Sequence, residues 1–315
     1  MTKLSSLLTA TTFAASLLTG CAVKQDAPPE AIAKAIPTGD QVSIKMPATA
    51  TRLDPSVGQL ATYYQVTRGV TQMFNGGSAW VLVLMHTIVQ YPVTSTNGNV
   101  YTWGPWQGSA LDPAVYKLDV TDNGNGTYDY VLSGHAKSDT SAHFIAVITG
   151  HADTTAGDLQ GNGSFLFDFD AAKTVDPIDN ANAKGQIDAY YDLAKKHLDL
   201  SITSTDANNQ EVTLDYAYDE TANGGGSMNL DLVANVGGTA ANEDVTLHSR
   251  WLSTGAGRGD ARIAGGDLGS SSAIASECWS TAFDRVYYTD NVNFNPTEGD
   301  ATQCAFSDVA LPPAK

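Results

Sequence analysis

The sequence predicts a mainly β fold: a strongly curved antiparallel meander or barrel of about 10–12 strands, packed on or around one or two N-terminal helices. Three observations carry this. From Val100 onward apolar and polar residues alternate in run after run, clusters of Gly, Asn and Asp separate the runs, and only 6 of the 34 acidic residues are Glu in a chain with 29 glycines. Asp and Gly favour turns, whereas Glu would favour helix.

The first helix signal is Asp54-Pro55, an N-cap acceptor followed by Pro at the first helical position. Leu60, Tyr63, Tyr64, Val70, Met73 and Phe74 then recur at helical spacing until Asn75-Gly76-Gly77 ends the run. Ser78 caps a second helix, AWVLVLMHTIVQY, stopped by Pro92. This segment is apolar nearly all round, so it is expected to be covered on every side. At about thirteen residues it is too short to span a membrane, and its β-branched residues leave a buried strand as the alternative.

The strand runs follow. Tyr128, Tyr130 and Leu132 alternate with Asp129 and Ser133, and Phe165, Phe167 and Phe169 with Ser164, Asp168 and Asp170. Val212, Leu214, Tyr216 and Tyr218 alternate with Thr213, Asp215 and Asp219, and Met228, Leu230 and Leu232 with Asn229 and Asp231. One face is apolar and the other wet, as in an antiparallel sheet covering a core on one side. Turns are read at Asn123-Gly124-Asn125-Gly126, Gly161-Asn162-Gly163, Gly224-Gly225-Gly226 and Gly255-Ala256-Gly257. The stretches GNGSFLF, GGGSMNL and GRGDARI share a loose form at irregular spacing, which gives a meander and no solenoid repeat. A membrane-spanning β-barrel would show the same alternation, but it would place the apolar helix in a polar lumen.

The N-terminus supplies an address. Lys3 precedes an uncharged run from Leu4 to Gly20, the pattern of an export signal. Leu18-Thr19-Gly20-Cys21 resembles the lipobox of bacterial lipoproteins at every position. That resemblance covers the leader alone and implies that Cys21 becomes the mature N-terminus, carrying a diacylglyceryl thioether and an acylated amine. Three chains anchor firmly, since each buried methylene contributes about 0.8 kcal/mol. Lipoproteins retained at the inner membrane carry Asp after the cysteine; Ala22 stands there, which implies the outer membrane. The expected organisation is a signal peptide over 1–20, a lipidated flexible tether over 21–39, and a single β-rich domain over 40–315 with its N-terminal helices at about 55–91.

With Cys21 lipidated, Cys278 and Cys304 remain, an even pair in an exported chain, and a disulfide between them is expected. Closing a loop of about 27 residues contributes roughly 3 kcal/mol. The formal charge of −17 excludes nucleic acid and anionic headgroups as natural partners. The expected membrane contact is therefore the lipid itself.

Candidate chemistry is sparse. If the segments TYDYVLSGHA and SAHFIAVITGH pair about Asp139, His135 and His143 face each other and are the candidate metal ligands, with the packed or solvated histidine as the simpler reading. His151 lies about 27 Å further along an extended strand and cannot join them. His86 reads as a hydrogen-bonded core residue, and Asp119, Asp122 and Asp129 flank a turn without the ligand pattern of a calcium loop. Tyr101, Trp103 and Trp106 beside Gly104-Pro105 are the candidate contacts for a sugar ring or lipid, with packing as the alternative. Arg258-Gly259-Asp260 reads as a Gly-rich hairpin tip. Asp168 and Asp170 form a same-face carboxylate pair on a strand, but Asp recurs on that face of many strands.

No hydrolase, β-lactamase, zinc-peptidase or P-loop motif is present. The expected protein has no catalytic residues and no cofactor besides its covalent lipid. It binds or shields an apolar small molecule such as lipid, or docks an envelope partner. A polysaccharide-recognition module is the alternative, and a hydrolase the third reading.

Overall fold

The computed structural model describes residues 29–47, 59–77, 79–106, 112–139, 141, 143–157, 160–206, 208–236, 241–294 and 297–311. It is a mainly β antiparallel meander in which the strands are hydrogen-bonded in sequence order. Two compact units share it. Among the described residues unit 1 takes in those up to Pro37 together with Val83–Asp188, and unit 2 takes in Thr38–Leu82 and Ala189 onward.

Unit 1 contains β1 (Ser95–Asn97), β2 (Val100–Trp106), β3 (Ala114–Asp122), β4 (Thr127–Ala136), β5 (Ile145–Asp153) and β6 (Asn162–Asp168). β7 (Gln186–Asp192) carries the boundary. Unit 2 contains β8 (His197–Thr205), β9 (Glu211–Glu220), β10 (Gly226–Ala234), β11 (Glu243–Trp251), β12 (Gly257–Gly265), β13 (Ser272–Trp279), β14 (Arg285–Asp290) and β15 (Glu298–Gly299). β1 pairs only with β2 and β15 only with β14, so the meander stays open and the barrel alternative is not formed.

The helices are α1 (Glu30–Ala35), α2 (Gly39–Val42), α3 (Thr62–Gly77), α4 (Ala79–Val89) and α5 (Phe169–Val175). The expected tether is ordered from α1 on: Ile32 and Ala35, at i and i+3 on one face of the helix, are buried, as is Ile36 at its extended C-cap. The start expected at Asp54-Pro55 and the cap at Ser78 lie outside the described residues. α3 instead begins at Thr62, where the buried Glu277 carboxylate accepts the Tyr63 backbone N–H, one of the four that no helix satisfies internally. α4 forms as a helix and not as the alternative strand. It is not covered on every side: Val81, Leu82, Met85 and Val89 are buried, whereas Val83 is 45% exposed. One stripe suffices to hold it.

In unit 1 the register stacks Trp103, Leu118, Leu132, Ile148 and Phe167 into one buried row across β2–β6. Tyr130 lies over Gly150 in the next row, where an added Cβ would sit 2.1 Å from the ring. Unit 2 repeats the device. Trp251 lies over Gly226 and Trp279 over Gly257, and their indole N–H groups donate to the Lys45 and Gly255 carbonyls. Glycine leaves the space that each ring fills, so the rings pack flat on the sheet.

Candidate functional site

Unit 2 presents two contrasting sheet faces. Successive residues of a strand alternate between them. On one face the cross-strand partners Leu198, Tyr218, Met228, Ser249, Gly259 and Glu277 form a deep row. α3 covers this region: Tyr63 approaches Gly259, Thr67 Oγ1 lies 2.5 Å from Ser249 Oγ, and the Phe74 ring packs 4.1 Å from that of Tyr216.

Two rows further along the same face, Ile202, Leu214, Leu232, Val245 and Ile263 are direct cross-strand partners. All five are only half-buried, unlike the deep row. With strands about 4.8 Å apart, they form an aliphatic track of ~19 Å running across β8–β12. Nothing polar interrupts it. Such a track offers dispersion contact and water exclusion, and it has no group able to perform acid–base or nucleophilic chemistry.

The opposite face of β11–β13 is polar and is closed by a strap, Cys304–Leu311. Its staple is the expected disulfide, Cys278–Cys304, with S–S 2.07 Å. Asp260 is fully buried and accepts from Arg258 Nε at 2.8 Å, from Ser276 Oγ at 2.6 Å and from the Ala310 backbone N–H at 3.2 Å. Arg258 Nη1 donates to the Phe306 carbonyl at 3.3 Å. Arg250 stacks over the Phe306 ring at 4.9 Å, and donates to the Asp308 carboxylate at 3.0 Å and its carbonyl at 2.6 Å. His248 donates Nδ1–H to the Ala310 carbonyl at 2.5 Å. Burial holds the His248 pKa below the ordinary histidine value, and the Arg250 bond pulls Asp308 below the usual carboxylate range.

His248, Asp260 and Ser276 are cross-strand neighbours, so the residue types of a hydrolytic triad stand in one row. Their order is wrong for it. Asp260 occupies the middle strand and takes the serine proton bond itself, whereas a triad needs the imidazole between the two.

The residues singled out by sequence are dispersed. His135 stacks edge-on against Phe144 at 4.8 Å, because the bulge at Leu132/Ser133 sets Gly134 opposite Ile145. That register is one residue from the expected one, and exposed His143 lies ahead of β5, so the two imidazoles are not cross-strand partners. Among the described residues no group of three or more His, Cys, Asp or Glu is placed to hold a metal. Trp103 is 3% exposed and its indole N–H donates to the Tyr91 carbonyl, so it is a packing residue; Tyr101 and Trp106 are half-buried. Gly104-Pro105 lies within β2, at the register shift between Trp103 and Trp106.

Asp168 and Asp170 do not share a strand face. The strand ends at Asp168, whose carboxylate caps α5 through the Ala171 N–H, and Phe169 turns into the helix against Phe167. Arg258-Gly259-Asp260 lies inside β12, with both charged side chains buried, and not at a hairpin tip. Asp119, Asp122 and Asp129 bond separately to Thr102 and Lys117, to Gly124, and to Asn123 and His151. His86 is half-buried and donates to the Ile36 carbonyl at 2.8 Å. Cys21 lies outside the described residues.

Sequence reasoning missed the polar row because a charged residue on the wet face of a strand reads as solvated; only the strap makes it dry. Among the described residues no helix is long and apolar enough to cross a membrane. Comparison with protein families, with curated proteins and with solved structures finds no match.

Proposed function

We propose that this chain is a lipid-anchored protein of the bacterial outer membrane, non-catalytic, whose β body binds the acyl chain of a lipid along the track Ile202–Leu214–Leu232–Val245–Ile263. The single observation that carries the binding reading is the partial exposure of this five-strand track on a face whose row from Leu198 to Glu277, two rows away, is fully buried. Its ~19 Å length exceeds the acyl depth of one leaflet, about half of a ~30 Å hydrocarbon core. The lipobox at Leu18–Cys21 and Ala22 support the anchor and the membrane.

Leu232→Asp puts a charge at the centre of the track, where a half-buried position tolerates it, and should weaken a fluorescent acyl-chain probe at least tenfold. Asn229→Asp, on the opposite face, is the matched control. Equal affinity for the Leu232→Asp and native chains would remove the binding reading. Separately, Cys21→Ala should abolish palmitate incorporation and release the protein from the membrane fraction; retention of both would remove the anchor.

A further inference from the structure

Four large apolar side chains of unit 2 stand in water at one end of its strands. Val236 lies on the connection from β10 to β11, Leu268 on that from β12 to β13, and Val292 and Phe294 on the loop after β14; all four are exposed, Phe294 in full. The track meets the same end, because β8, β10 and β12 run from the deep row past Ile202, Leu232 and Ile263 before they turn. The loop after β14 is fastened there by Asn291, whose side chain accepts from the Ile274 N–H at 2.8 Å and donates to the Ser272 carbonyl at 2.9 Å. Between those two residues stands Ala273, the cross-strand partner of Ile263, so the apolar row reaches the strand that holds the loop. Buried Glu243 accepts from the Val236 N–H at 2.9 Å and the Asp267 N–H at 3.2 Å, and one carboxylate thereby fixes the first two connections. Asp290 accepts from the Val292 N–H at 2.9 Å and the Asn293 N–H at 2.7 Å, which fixes the third. A single exposed apolar residue is ordinary, but four on three fixed connections at one end of a sheet mark a contact surface.

We infer that these tips form a docking rim for a lipid bilayer with zwitterionic headgroups, which sets the end of the acyl-chain track against the membrane. The rim deepens the acyl-chain reading and rests on it for its role. Three observations choose a bilayer as the occupant. The tips spread over roughly 17 Å at strand spacing, with polar loop residues between them, whereas a stable protein interface needs about 800 Å² per partner around a contiguous apolar core. A bilayer receives each tip independently. The rim is also continuous with the track, so an acyl chain drawn from the membrane meets apolar surface along its way. Charge then selects the headgroup: residues 206–210, 235–242, 266–271 and 290–297 include three Asp and no Lys or Arg, which disfavours anionic lipid.

The test uses the full chain carrying a polarity-sensitive fluorophore at Phe294→Cys, with Ala222→Cys, in the exposed turn at the other end of β9 and β10, as the control. On phosphatidylcholine vesicles the 294 label should shift to the blue and be quenched by nitroxide lipids at least fivefold more than the 222 label. On phosphatidylglycerol vesicles that quenching should fall at least twofold. V292D/F294D, with both changes at exposed positions, should slow transfer of a fluorescent fatty acid from vesicles to the protein at least tenfold, while its affinity for the same probe in free solution stays within twofold of the native chain. A 294 label that stays in water, equal quenching on both vesicles, or unchanged transfer in V292D/F294D overturns the inference. So does a blue shift that grows with protein concentration without vesicles, which would assign the tips to a second copy. Failure of the track reads differently: Leu232→Asp then leaves fatty-acid binding unchanged while the 294 label still enters the bilayer.

Discussion

Asp260→Ala should be among the most damaging single substitutions in unit 2. The side chain removed is fully buried and accepts from Arg258, Ser276 and the Ala310 N–H, with Arg250 Nη2 3.5 Å away. What remains is the Arg258 guanidinium, 3% exposed, whose other hydrogen bonds go to the Phe306 carbonyl and the Cys278 sulfur, both neutral. Breaking a buried pair on one side costs about 3–5 kcal/mol, because the surviving charge keeps its desolvation penalty without its partner. At about 2–4 °C per kcal/mol for a chain of this class, thermal unfolding should fall by roughly 6–20 °C. The decisive comparison is R258M/D260L, which removes both charges and should recover to within about 1 kcal/mol of the native chain. Circular dichroism melts of the oxidised protein at neutral pH read both. A loss below about 1 kcal/mol for D260A, or a double variant as unstable as the sum of the singles, would refute a mutually compensated buried pair.

Other substitutions test separate parts of the fold. Gly150→Ala drives a methyl into the Tyr130 ring and should cost about 2–4 kcal/mol from overpacking and the lost bond to the Ser164 carbonyl; a Tyr130→Leu background should relieve most of that, and additive losses would argue against the register. Glu277→Ala removes the carboxylate that caps α3 and pairs with Arg285 at 2.5 Å, so amide exchange at Tyr63 and its neighbours should accelerate before the rest of unit 2 opens. His197 is opposed by partial burial, but its bonds to Asp219 at 2.7 Å and Asp199 at 2.8 Å outweigh that and raise its pKa above the ordinary value. Its stabilisation is therefore complete below about pH 6.5 and is lost as pH rises through the folded pKa. His197→Asn should lose stability most at pH 6 and least at pH 8 in denaturant titrations, and a pH-independent deficit would contradict the pairing.

Much of the fold is legible in particular residues. Phe165 and Phe167 alternate with Ser164 and Asp168 because one side of β6 is dry, and both rings are buried. The Asn123–Gly126 turn and the AWVLVLMHTIV helix fall where spacing puts them. The same local logic fails where a neighbour from another strand decides the outcome. Gly226 and Gly257 read as turn residues, yet both stand in strands to make room for Trp251 and Trp279. His135 and His143 read as partners, yet the bulge shifts the register of β4 against β5 and His143 stands ahead of β5. Val83 reads as core, yet α4 needs only the opposite stripe.

Sequence alone determined the class of structure, the disulfide partners and the resemblance of the leader to a lipobox, because each is encoded by short-range spacing or by a count of residues. Tertiary structure decided which polar residues are dry and which apolar residues stay wet: Arg258 and Asp260 are buried by a strap some fifty positions later in the chain, and Leu214 and Leu232 remain accessible in a track that spans five strands. Period-two alternation assigns each side chain to a face. Whether water reaches that face depends on what packs over it from elsewhere in the chain.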